Sequence, residues 1–133
     1  MQTTFWMLCV ALFAGHELDA VARAEWRLLY GLRDLEPALA QQLFIALHVP
    51  LGVALMALAG HPRDSLRHST RRALAGFAVI HAGLHYRLQE HPLYLFDSLL
   101  SQGLIHACAG AGLGYLLLDW RTRHPRFANA HRP

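Results

Sequence analysis

The chain has 133 residues, 54% of them hydrophobic and only 16% charged, and a formal net charge of +3. That length allows one compact domain. A soluble domain usually carries about 25% charge, so an ordinary highly charged soluble domain is a poor fit. All the basic side chains are Arg, and none belongs to a basic–aromatic run or a Gly-rich binding loop, which excludes a nucleic-acid footprint.

The charges cluster between four apolar stretches, 4–22, 42–59, 73–88 and 98–118. A membrane span needs about 17–25 mostly apolar residues. A soluble four-helix bundle is the alternative, but each of its helices would need a polar outer face. Residues 43–47 and 49–58 offer none. The expectation is an all-α, up-down four-helix transmembrane bundle over 1–120, followed by a polar cytoplasmic tail over 121–133.

The first stretch has no basic residue before it and no small-x-small cleavage site after it, so it reads as a retained span rather than a signal peptide. It carries His16, Glu17 and Asp19. Asp19 precedes Arg23 by four positions, which suits an ion pair along one helix face. Glu17 has Phe13 and Val21 at those positions, so it has no basic neighbour on its own helix. The connection 23–41 mixes Trp26, Leu28, Leu29 and Tyr30 with charges, which predicts a short interfacial helix ending before Pro37.

The second stretch contains His48 and Pro50; the proline removes one helix hydrogen bond and frees the carbonyl of Ala46. The third holds His81 and His85, four apart and so on one helix face. His91-Pro92 begins the next turn, with Tyr94 and Phe96 expected at the membrane interface. The fourth stretch carries His106, and its Gly103, Gly110 and Gly114 permit close helix approach, including a homo-oligomer through that face. Cys9 and Cys108 belong to no paired motif and read as buried apolar residues.

Four spans would place the N-terminus, the connection around 63–72 and the C-terminus on one side. That side holds eight Arg and the opposite side four. The excess assigns both termini to the cytoplasm, with the bilayer of a bacterial inner membrane as partner.

Depth relates the polar residues to one another. At 1.5 Å per residue, His16 lies about 18 Å from the inner surface, His81 about 12 Å and His85 about 18 Å. His48 and His106 enter from the other side, and in a core about 30 Å thick they lie about 21 Å and 18 Å from the inner surface. His16, His48, His85 and His106 thus share one level, with His81 a turn away. Ionisable side chains inside spans are candidate functional sites. Five imidazoles point to a transition metal held by His16, His48, His81, His85 and His106, with zinc or iron favoured by the carboxylates nearby. Glu17 is the candidate general base. The alternatives are haem b on two axial His in an electron-transfer protein, a His/Glu pair moving a proton on a lipid-soluble substrate without metal, a proton pathway, and an interaction subunit with no cofactor.

His16-Glu17-x-Asp19-Ala20, then Glu25-Trp26, His48, His81-x-x-x-His85, Ser101 and His106 together form a pattern over about residues 5–118. It resembles small bacterial four-span membrane proteins classed as domains of unknown function. The resemblance implies a membrane bundle and no particular activity.

Overall fold

The computed structural model describes residues 1–124. Among these it contains four α-helices and no strand: α1 (Gln2–Ala22), α2 (Pro37–Ala59), α3 (Asp64–Leu88) and α4 (Leu99–Arg123). A single 3-10 turn, Glu25–Leu28, follows α1. The expected tail lies outside the described residues except at its start, where α4 continues to Arg123.

Each of the four apolar stretches corresponds to a helix, but α1, α2 and α3 begin earlier than apolarity alone indicates, while α4 begins at Leu99 after its Ser98 cap. Pro37 opens α2 at its first turn, where a missing N–H costs nothing. Glu36 caps it, its carboxylate accepting from the N–H groups of Ala38 and Leu39 at 3.1 and 3.0 Å. The start of α3 is its polar part. There Arg67 pairs with Asp64, and Arg71 Nε donates to the Ala59 carbonyl at 3.1 Å, closing the α2–α3 corner.

α4 is the central helix. Ser101, Ile105, Cys108, Gly112, Tyr115 and Asp119 are buried along it at helical spacing. α1 runs antiparallel beside it: Gly15 lies against Leu104, Phe5 against Gly114 and Gln2 against Asp119. α3 lies on α4's other side, where Gly112 packs against the Ala75 backbone so closely that an added Cβ would sit 2.6 Å from its carbonyl oxygen. Gly114 thus serves packing within the chain, while Gly103 and Gly110 have open space before them.

The core follows α4 in three layers. Trp6, Ala59, Leu74, Ala75 and Tyr115 form one end. Cys9, Ala78, Cys108 and Ala111 form the middle. Ala20, Trp26, Ala40, Phe44, Tyr94, Phe96 and Ile105 form the other end. Trp26, Tyr94 and Phe96 therefore plug the bundle rather than lie at its rim. The short 3-10 turn and the His91-Pro92 turn fold both connections inward, which replaces the expected interfacial helix.

α2 is attached lightly. Ala40, Phe44 and Ala59 are its only buried residues, and Leu47, Val49, Leu51, Val53 and Met56 are exposed. α1 and α2 are each long and apolar enough to cross a membrane.

Candidate metal centre

Three segments meet beneath the Tyr94–Phe96 plug. α1 contributes His16, α3 contributes His81 and His85, and the 3-10 turn contributes Glu25. Ala24, between α1 and that turn, has φ 55° and ψ 46°. This left-handed conformation is costly for a residue with a Cβ, and it reverses the chain so that Glu25 folds back over His16.

The four side chains converge. His81 Nε2 lies 2.8 Å from His16 Nε2 and 3.1 Å from His85 Nε2. Glu25 stands opposite, with Oε2 3.6 Å from His16 Nε2 and Oε1 3.7 and 3.9 Å from the Nε2 atoms of His81 and His85. One ligand atom from each lies within 4.8 Å of all the others, a group that could hold a metal ion. Metal–imidazole bonds of about 2.0–2.1 Å would set tetrahedral nitrogens about 3.3 Å apart. The observed contacts are close to that spacing.

The same contacts are poorly served by protons alone. A neutral imidazole carries one N–H and one lone pair. His81 Nε2 meets two other nitrogens and can share only one proton at a time. A cation facing three lone pairs resolves that crowding. His16 is 2% exposed and its Nδ1 has no hydrogen-bond partner.

Aromatic and polar groups fix the rings. Phe77 stacks on His81 with centroids 5.1 Å apart, and Phe96 meets His85 edge-on at 4.7 Å. His85 Nδ1 contacts the Tyr94 hydroxyl at 3.3 Å. Gln102 Nε2 donates to that hydroxyl at 3.2 Å and to the Phe96 carbonyl at 2.8 Å. Such outer contacts orient a ligand and set its tautomer. Burial, reinforced by the Glu17 and Asp19 carboxylates, pushes the Glu25 carboxyl up to about 7. A nearby cation would reverse that tendency.

His48 and Glu17 form a separate pair, with Nε2 and Oε2 2.7 Å apart. His48 Nδ1 lies 2.6 Å from the Phe44 carbonyl, which only accepts, so Nδ1 carries a hydrogen. The Nε2–Oε2 contact then needs a further proton, on His48 or on Glu17. His106 does not join either group: it is exposed, and its Nδ1 donates to the Gln102 carbonyl at 2.9 Å. The α4 stripe through Ile105 and Cys108 faces inward and turns position 106 outward. Of the five histidines and one glutamate singled out in the sequence, the structure thus joins His16, His81 and His85, pairs His48 with Glu17, and leaves His106 apart. Asp19 takes the expected partner, Arg23 Nε, at 3.4 Å.

Glu25 entered the sequence pattern only beside Trp26 and was not among the expected ligands. A signal was present: positions 21, 22, 28 and 29 are Val, Ala, Leu and Leu, so no base lies three or four positions away.

A cavity of about 330 Å³ opens beside the cluster, between α2 and the α1–α3 wall. Glu25, His81, His85, Glu17 and His48 line it together with Leu, Phe13, Phe44 and Phe77 side chains. Both polar groups thus face one apolar chamber.

No curated protein and no solved structure matched the chain. A family model described as a family of unknown function, DUF6713, matches residues 2–122, which include every residue of the two polar groups, and the chain belongs to that family.

Proposed function

We propose that this is an integral membrane protein whose four helices cross a bacterial inner membrane with both termini in the cytoplasm. His16, Glu25, His81 and His85 hold a transition metal, zinc or iron, and the protein acts on a lipid-soluble substrate. The observation that carries this reading is the convergence of three Nε2 atoms and a carboxylate from three segments at a buried point. Imidazole with carboxylate suits zinc and iron. The close Nε2 contacts favour an ion over haem b, whose axial ligands lie on opposite faces of a macrocycle and cannot touch.

A bound ion would supply Lewis acidity toward a substrate oxygen. The chain's own residues do the rest. Tyr94 and Gln102 hold the His85 ring in register. Phe77 and Phe96 keep water from the imidazoles. The Glu17–His48 pair carries a proton between Oε2 and Nε2, within the same chamber, and is the candidate acid–base group.

Elemental analysis of detergent-purified protein, with an absorption spectrum, tests the reading. Stoichiometric zinc or iron that is lost in His81→Ala and in Glu25→Gln is expected. Wild-type protein free of metal and haem would return the cluster to a role in fixing helix register.

A further inference from the structure

The cavity narrows the substrate class. Its volume of about 330 Å³ falls at the small end of ligand pockets, about 300–1,000 Å³. Its rim is apolar and outward-facing: Leu47, Leu51 and Leu84 are 58%, 60% and 48% exposed. Its polar groups lie deeper, where the side chains of Glu25, His81 and His85 are 10%, 16% and 4% exposed. Glu17 and His48, at 25% and 34%, lie between. Polarity therefore increases inward, the reverse of a pocket that admits solutes from water.

Charge restricts the occupant further. No Arg lines the cavity, although the chain has twelve basic residues. The His48 ring is already engaged by Glu17. In the metal-free protein an anionic headgroup would give up its hydration without gaining a free cationic side chain. An uncharged hydroxyl needs only a hydrogen-bond acceptor, which the second carboxylate oxygen of Glu17 offers.

We propose that the cavity between α2 and the α1–α3 wall binds a neutral amphiphile, with an apolar body and a hydroxyl head, entering sideways from the bilayer past Leu47, Leu51 and Leu84. This rests on the membrane reading above; binding itself does not require the metal. The head lies at the Glu17–His48 pair and faces the imidazole cluster, and the body lies along Leu28, Leu32 and Phe44.

Photocrosslinking tests it on the full chain in lipid nanodiscs. The probes are a long-chain alcohol, the matching carboxylic acid and the matching alkane, each with a mid-chain diazirine. The alcohol should label Leu28, Leu32 and Phe44 in preference to the outward-facing Val53 and Leu113. The acid and the alkane should label the cavity residues about tenfold less, a difference of about 1.4 kcal/mol. Leu47→Trp, at an exposed rim position, should block alcohol labelling without changing helix content, and Leu51→Trp is the second blocking variant. Uniform labelling of cavity and outer residues, or acid labelling equal to that of the alcohol in metal-free protein, would overturn the proposal. Each reaction is repeated after chelation. Preferential labelling that survives in metal-free protein upholds the cavity even if elemental analysis removes the metal, and metal-loaded protein without preferential labelling sinks the cavity alone.

Discussion

His81 Nε2 touches both other imidazole nitrogens, so its loss removes the contact that joins α1 to α3 within the cluster. His81→Ala should abolish stoichiometric metal binding, measured by elemental analysis, while the helices still form, because the change increases apolarity. Tyr94→Phe is milder. It removes only the hydroxyl between His85 and Gln102, and outer contacts of this kind typically cost about 10–100-fold in affinity. A competition titration with a chelator should find that range, and an unchanged affinity would remove Tyr94 from the site. The i, i+4 spacing made the joint face of His81 and His85 legible in the sequence. Depth along the helices grouped His16, His48, His85 and His106, of which the structure brings together only His16 and His85, since depth says nothing of direction around a helix. On α4, small and apolar residues occur on every side, so only packing against α1 and α3 decides which stripe turns inward. Glu25 was harder to see because it acts across a reversal that no periodicity encodes.

Two local devices bring the ligand-bearing segments together. Ala24 holds a left-handed backbone that swings Glu25 over His16. Gly fits that conformation and a β-branched residue does not. Ala24→Gly should therefore keep its metal, whereas Ala24→Val should lose affinity by an amount close to that of Glu25→Gln; equal affinities for the two Ala24 variants would mean that the reversal does not position Glu25. Gly112 lets α3 lie directly on α4. Gly112→Leu drives a side chain into the Ala75 backbone, and overpacking typically costs about 1–3 kcal/mol. Because α3 carries two of the imidazoles, thermal unfolding and metal content should fall together. Apolar runs located all four helices in the sequence. The starts of α2 and α3 at Pro37 and Asp64 precede the apolar runs, because the Glu36 cap and the Asp64–Arg67 pair extend these helices without burial.

At the scale of the molecule, the two ends of the bundle differ. One is closed by Trp6, Tyr115 and the Arg71–Ala59 contact, the other by the aromatic plug above the imidazoles. The Arg excess lies at the first end, which is the cytoplasmic one in the proposed topology. Reporter fusions after Arg123 and within 63–72 should both report the cytoplasm, and a periplasmic signal from either would invert or break the arrangement. The unevenness of α2 has a mechanical consequence. Phe44 and Ala59 pin it near both ends, and no residue between them is buried. Pro50 lies midway, where the ladder of hydrogen bonds is interrupted. A rod clamped at both ends and weakened at its centre bows when shortened and straightens when stretched. Mismatch between a helix and its bilayer applies that kind of load. Thinner membranes should widen the gap beside Leu47 and Leu51, and thicker ones should close it. Labelling by the alcohol probe would then rise as acyl chains shorten, and Pro50→Ala, which restores the missing bond, should flatten that dependence.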